Sequence, residues 1–589
     1  MITKVEFINV NRSIVTMVVL GLALAFNACK KEEPIGPVPI LTAGIAANGF
    51  VGTTVKITAS INAPEGLKTL VVLKDGQVFD RKLYNNAEKS DSYSKDYVIE
   101  NLPASTSVVF TLQATDLRNQ SSTIATQLVT VSAVPTKQVE EIRGVLSGKI
   151  TWTKDKIYKL IGFVRVGGDT LSDTPSNVAT GVLTIEPGTV IIGDRASKGT
   201  LIIQRGSRIV ANGTAESPIV FTSERPVGQR EPGDWGGLVI CGKAVNNQGT
   251  GVQLEGSFKG FHGDTNDADN SGSLKYVRVE FAGIPLNPST ELSSFTFGSV
   301  GSGTTIEFLQ ASYGLGDSFG WFGGTFNAKY LIAYHGLDDD LDLDLGYRGN
   351  LQFMVGIRGA ALADQSGSNG FEIDNDAQST SNIPFTAATI SNATLIGAKA
   401  TAETVISVQF QNGMHLRRNC KVKIYNSAVT AYPNGVLIEG NNTLANAANG
   451  SLVLNRIWVM GVKGWGANGF GLATSGTQSV PYGFPVRDFS THTTPVALNN
   501  IGSQKPSAWF AAQTGNKVMD SYDGSGLSAS LFATGTPTFT LSNGGLLATG
   551  GLVPAGAFWS PATFIGAFGS EDWTATWSNF SPGTTNYNI

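Results

Sequence analysis

The 589-residue chain carries 46 acidic and 42 basic side chains, a formal net charge of −4 and a pI near 5.7. So slight a balance leaves no basic footprint for a phosphate backbone and excludes nucleic acid as a partner. Three cysteines are too few for a disulfide framework or a cysteine-rich zinc site, and 70 glycines with hardly any helical periodicity exclude a helical protein.

The chain opens on an export signal. Lys4 and Arg12 precede an apolar run from Ile14 to Phe26, which is too short to cross a bilayer. The run ends in Asn27-Ala28-Cys29, which is similar to a bacterial lipobox, although Phe26 and Asn27 depart from the usual leucine and small residue. Lys30-Lys31-Glu32-Glu33-Pro34 resembles the lysine-then-acidic export tag of Bacteroidota surface lipoproteins. The expectation is a signal peptide over 1–28, lipidation at Cys29, a tether over 29–38, and a lipid-anchored, surface-exposed place at the outer membrane. Simple cleavage and secretion is the alternative. No later apolar run reaches about eighteen residues, so the lipid would be the sole membrane contact. Cys241 and Cys420 read as lone buried thiols.

Between residues 39 and 134 short alternating segments are separated by turn residues, among them Thr54–Ala59, Thr69–Leu73, Val108–Leu112 and Thr126–Val131. Lys74-Asp-Gly-Gln77 is a hairpin turn signal. About seven such strands predict an immunoglobulin-like sandwich, read as a spacer. Pro135-Thr-Lys-Gln marks its end.

From residue 140 to 465 the pattern predicts a right-handed parallel β-helix. Gly181–Ile191 superposes on Gly199–Ile209 with an offset of eighteen, and Tyr276, Phe308 and Tyr330 begin three similar segments at offsets of 32 and 22. Strands this short cannot bury an apolar face alone, so stacked coils must supply the core. Residues 466–589, where the repeat weakens, are expected to form last coils and a cap over the final one.

Leu183-Thr-Ile-Glu-Pro-Gly-Thr-Val-Ile191, Pro218-Ile-Val-Phe-Thr-Ser223, Gly233-Asp-Trp-Gly-Gly237, Trp321-Phe-Gly-Gly324, Gly370-Phe-Glu-Ile-Asp-Asn-Asp-Ala377 and the closing Gly566-Ala-Phe-Gly569 with Asp572-Trp573 together resemble a family of Bacteroidota surface lipoproteins. The resemblance implies a pectate-lyase-like β-helix at the outer membrane and no particular activity.

The candidate site is acidic. Leucine and aspartate alternate through Leu341-Asp-Leu-Asp-Leu345, and Phe371-Glu-Ile-Asp374 repeats the pattern, so Asp342 and Glu372, and Asp344 and Asp374, stand thirty residues apart and become neighbours if the chain coils between them. Asp317 and Asp339 each lie three residues after a glycine that ends a repeat strand, which predicts one shared corner. With Asp338 and Asp340 these form an oxygen-only set suited to Ca²⁺; a solvated acidic face is the competing reading. Asp267 and Asp269, in Asp267-Ala-Asp-Asn-Ser-Gly272, match the front half of a calcium loop whose twelfth position is Arg278 instead of glutamate, and an Asx-rich turn is the competing reading.

Trp321, Phe322, Tyr347 and Arg348 lie close in sequence to these acids and are candidate ligand contacts, since aromatic faces beside carboxylates suit a sugar ring; core packing is the alternative. The expected function is a calcium-stabilised scaffold binding an extracellular glycan or a surface protein. The enzymatic alternative is a lyase, with Arg348, Arg358, Arg417 or Arg418 as base, or a glycoside hydrolase with paired carboxylates, acting on acidic polysaccharide. His262, His335, His415 and His492 sit in no nucleophile context.

Overall fold

The computed structural model describes residues 36–589 apart from 133–136, 174–177, 257, 288–289, 402–403, 463–469, 472–479, 482, 491–495 and 534. The signal segment, Cys29 and His492 lie outside the described residues. The chain divides into Met1–Pro135 and Thr136–Ile589, the division Pro135 marks in the sequence. Among the described residues no helix is long and apolar enough to cross a membrane.

In the first unit a three-stranded sheet (Ile40–Ala43, Thr54–Asn62, Ser90–Val98) and a five-stranded sheet (Ala47–Gly49, Ala125–Val131, Ser107–Asp116, Leu67–Lys74, Gln77–Leu83) share one core. Every second residue of Ser107–Asp116 is buried, the period-two pattern of a strand packed on one face. Ile57, Ile61 and Tyr97 from one sheet meet Leu70, Val72 and Phe110 from the other. At the predicted hairpin Lys74 pairs with Gln77, and Asp75 and Gly76 take φ of 47° and 84°, the left-handed pair that an Asp-Gly turn provides.

The second unit contains one parallel sheet of 24 strands, running from Gln138–Leu146 to Lys517–Met519 and wound into coils of three faces. Successive coils stack like on like. Leu274, Ile306, Ala328, Leu351, Ile390, Ile424 and Leu454 form one inward column. Phe295, Phe319, Leu341, Phe371, Met414, Val436 and Val486 form another on the third face. Both columns are part of a single core, which is how strands of four or five residues become stable.

The eighteen-residue unit is not a coil. Leu183 pairs with Ile209 and Leu201 with Leu238, so Gly181–Ile185 and Thr200–Ile203 are the first and third faces of one coil, with Val190–Gly193 between them. They share a strand-and-turn pattern without stacking, because three strands and their corners take 26 residues here, from Leu183 to Ile209. The offsets of 32 and 22 do mark stacked coils: Lys275, Glu307 and Lys329 are in register. Immediately after them Tyr276, Phe308 and Tyr330 drop out of the ladder with φ of 51°, 54° and 63°, followed on later coils by Phe353, Asn392, Asn426 and Arg456 between 48° and 62°. A left-handed non-glycine residue costs roughly 1–2 kcal/mol. Here it turns the corner between two faces, and its repetition stacks the rings of Tyr276, Phe308, Tyr330 and Phe353 at 4.4, 4.3 and 5.1 Å.

The C-terminal segment supplies the cap and, beyond it, a strap. The end of the core is covered by the helix Pro506–Ala512, whose Trp509 and Phe510 join the core cluster. From Leu552 to Tyr587 the chain runs back along the coils as a strap. Three side-chain amides each donate to the carbonyl and accept from the N–H of one strap residue: Asn426 with Leu552, Gln352 with Ser560, and Gln310 with Asn579. The Tyr587 hydroxyl then donates to buried Glu280 at 2.6 Å. Cys241 and Cys420 are buried free thiols, as expected.

Replacing buried Gln352 by leucine leaves the N–H and carbonyl of Ser560 without these partners. The expected loss is about 1–3 kcal/mol of unfolding free energy, read from urea denaturation followed by tryptophan fluorescence, since Trp573 and Trp577 ride on the strap.

Candidate functional site

Strand alternation places the site. On the third face Phe319, Leu341, Phe371 and Met414 point into the core, so the residue after each points out: Gly320, Asp342, Glu372 and His415 form one outward column. Two residues further on, Gly298, Phe322 and Asp344 form the next outward column. Asp374 continues it, its N–H donating to the carbonyl of Leu343 at 2.9 Å. The thirty-residue spacing is therefore one coil, as the sequence indicates.

At the corner leading into these strands Asp339 donates its N–H to the Asp317 carboxylate at 3.1 Å, and Ser318 donates its N–H to the carbonyl of Asp339. Carboxylate oxygens of Asp317, Asp338 and Asp339 lie within 4.8 Å of one another. Among the described residues no cation pairs with these three, or with Asp342 or Asp344. The next coil differs. Arg417 bridges Glu372 and Asp374, and Arg418 reaches Asp374 at 2.6 Å. His415 donates Nε2–H to the Glu439 carboxylate across 2.9 Å and stands 3.6 Å from Glu372.

Electrostatics follows this division. Burial pushes Asp317 and Asp344 up to about 7. It pushes Asp338, Asp339 and Asp342 well above the ordinary carboxylate range, reinforced by the neighbouring carboxylates. Glu372 is held below its ordinary value: burial pushes it up, and His415 beside it and the charge of Arg417 more than reverse that.

These groups line a cavity of about 620 Å³, in which ten carboxylates face only Arg417 and Arg418 as cations. One wall comes from two insertions, the hairpin of Val252–Gln253 with Phe261–His262 and the segment around Leu292. Leu254, Phe258, Leu292 and Phe322 make that wall apolar. The floor can thus hold a cation or protons while the wall takes the C–H face of a ring. Three oxygens within 4.8 Å fit around one Ca²⁺, whose ligands stand 2.3–2.6 Å from the ion.

The structure brings Asp317, Asp338, Asp339, Asp342, Asp344, Glu372, Asp374 and Phe322 together and removes other candidates. Asp340 turns inward, pairing with Arg358 at 2.8 Å with both side chains 0 % exposed, and accepts from the Tyr432 hydroxyl. Alternation explains it, since Asp340 and Asp339 face opposite ways. Trp321 and Tyr347 are core residues at 0 % exposure, their rings 5.3 Å apart; Tyr347 donates to the carbonyl of Phe326. Arg348 is tied to Asp267 at 2.6 Å and to the carbonyls of Val245 and Gly346. Asp267 also accepts from the N–H of Val245, and Asp269 accepts from Ser271. The 264–272 segment is thus an Asx-rich turn, and Asp267 and Asp269 belong to no cluster of three ligands among the described residues.

Sequence reasoning had not placed His415, Glu439 or His262 in the site. Extending the register by one more coil, from Glu372 to His415, would have found the first of these; forty-three residues and an insertion hide that step.

The model of the pectate-lyase-like β-helix domain family matches residues 144–470. No curated protein matches the chain. Among solved structures, the fibronectin(III)-like modules of Clostridium thermocellum CbhA are similar over 16% of this chain and 96% of their own, at 17% identity and a TM-score of 0.12. Pectate lyase Pel3 from Pectobacterium carotovorum is similar over 58% of this chain and 91% of its own, at 10% identity and a TM-score of 0.17. The family 28 exopolygalacturonase of Yersinia enterocolitica is similar over 78% of this chain and 100% of its own, at 10% identity and a TM-score of 0.15.

The raised carboxyls set a pH dependence. Each binds its proton more tightly folded than unfolded, where it titrates near ~3.9, so folding takes up protons and the stability this contributes is lost as pH rises from about 4 through 7. In EDTA the melting temperature is expected to fall between pH 5 and pH 8, and Asp339→Asn to flatten that fall. Scanning fluorimetry across the range checks both.

Proposed function

The chain belongs to the pectate-lyase-like β-helix domain family, and from that premise we propose that its acidic groove binds an extracellular glycan around a divalent cation, Ca²⁺. The observation that supports this is the Asp317–Asp338–Asp339 cluster: Asp339 buried and the other two half-buried, within 4.8 Å, and without a cationic partner among the described residues. Carboxylates so placed repel one another until protons or a cation join them, and an all-oxygen donor set suits a hard ion. Asp342 and Asp344 lie one coil from Gly320 and Phe322, so a sugar ring stacked on Phe322 would present its hydroxyls to the carboxylates. In this reading lipidation at Cys29 holds the protein at the outer membrane surface and the N-terminal sandwich serves as spacer.

Elimination by an arginine base is disfavoured. Arg358 is locked to Asp340 in the core, Arg348 to Asp267, and Arg417 and Arg418 to Glu372 and Asp374. Hydrolysis is the second reading, favoured by Asp317, which burial holds at about 7 and which can therefore carry a proton at neutral pH, close to ionised Glu372. Such a pair would act as general acid and base on a glycosidic bond.

Millimolar Ca²⁺ is expected to raise the melting temperature of the EDTA-treated protein, and Asp317→Asn with Asp339→Asn to abolish that rise. Unchanged melting of the wild type in Ca²⁺ sinks the metal reading. Incubation with a panel of polysaccharides, followed by reducing-end and unsaturated-product assays, separates binding from catalysis: new reducing ends without unsaturation assign hydrolysis, and neither signal, with saturable binding by calorimetry, assigns a binding groove.

A further inference from the structure

His262 closes the groove opposite the acids. Its ring sits over Gly298, where a Cβ would come within 2.6 Å of the imidazole, so only glycine lets the hairpin approach so closely. Gly298 is in register with Phe322, and Phe322 with Asp344. His262 therefore heads the outward column that continues through Phe322 to the carboxylates, at coil steps of ~4.8 Å. The side chain is 0 % exposed and borders the cavity.

Its protonation follows from a chain of hydrogen bonds. The Asn246 side-chain oxygen accepts from the N–H groups of Gln248 and Gly249, which orients the carboxamide. The Asn246 amide then donates to the Ser299 hydroxyl oxygen at 3.0 Å. Ser299 stands 2.9 Å from Nδ1 of His262, and Nδ1 is the one acceptor its own proton finds among the described residues. Burial keeps His262 neutral, at about 3, so it carries a single N–H. With Nδ1 accepting from Ser299, that N–H is on Nε2. Nε2 has no partner among the described residues, and a buried donor without an acceptor is a cost the fold bears unless something else supplies one.

We infer that His262 is a ligand-binding residue of the groove, its Nε2–H donating to a hydroxyl or carbonyl oxygen of an uncharged glycan that lies along the His262–Phe322–Asp344 column. The inference rests on the groove being a glycan site and adds the class of glycan. Ten carboxylates against two arginines oppose a polyanion unless bound cations intervene, whereas neutral sugar oxygens satisfy Nε2–H and sugar hydroxyls donate to the carboxylates.

The test is calorimetry of the full chain with xylotetraose, the N-acetylglucosamine tetramer and tetragalacturonate, with Ca²⁺ and in EDTA. At least one neutral tetramer is expected to bind. His262→Phe is expected to weaken it about tenfold, while His262→Gln, which keeps a donor near the Nε2 position, stays within about threefold. Equal affinity in His262→Phe overturns the inference, as does binding of tetragalacturonate alone, which leaves the groove reading intact. Binding of none of the three overturns both. If His262→Phe fails to fold, nitrogen-15 NMR of the wild type decides: an Nε2–H tautomer whose signal moves on adding the neutral tetramer supports the assignment, and an Nδ1–H tautomer or an unmoved signal overturns it.

Discussion

In a parallel coil every outward side chain stands about one strand spacing, ~4.8 Å, from its counterpart on the next turn, so a sequence that repeats an acid also repeats its repulsion. Like residues stacked inward produce a continuous core, as in the column from Phe295 to Val486. Like residues stacked outward produce the groove. The same register that pairs Leu341 with Phe371 also pairs Asp342 with Glu372. The chain cannot have one without the other, because successive residues of a strand alternate between faces.

The coils handle this repulsion in three different ways. Asp340 is turned into the core and neutralised by Arg358. Glu372 and Asp374 are compensated from the following coil by Arg417, Arg418 and His415. Asp317, Asp338, Asp339, Asp342 and Asp344 are left without cationic partners among the described residues, under an apolar wall contributed by two insertions. Compensation therefore reaches one part of the cavity, where Arg417 and Arg418 meet Glu372 and Asp374, and stops short of the rest, and burial of the uncompensated groups raises their proton affinity as it would their affinity for a cation.

The strap shows a related logic on the opposite problem. Where coils leave backbone corners in the left-handed region, rings stack along the axis and amides at Gln310, Gln352 and Asn426 stand ready to pair with a passing backbone. Each amide acts as one isolated rung of a ladder, so the C-terminal segment is held at intervals along the coils without forming a strand of its own.

Alternation, glycine punctuation and the thirty-residue echo between Asp342 and Glu372 were enough to read the parallel β-helix and most of its acidic row, because in a solenoid neighbours in space are repeats in sequence. The sandwich before Pro135 was legible for the same local reason, from period-two strands and one Asp-Gly turn. Local pattern could not tell a face from a coil, which is why Gly181 and Gly199 looked like stacked units. Nor could it tell which acid of Asp338-Asp-Asp340 turns inward, that Trp321 and Tyr347 fill the core, or that His262 borders the groove and His415 stands behind Glu372. Those depend on where a strand begins after its corner and on what an insertion folds over. The sequence by itself determined the repeat and the supply of charge; only the closed coil decided which charges meet a partner, since burial and pairing are properties of neighbours that the chain brings together from 18 to 81 residues away.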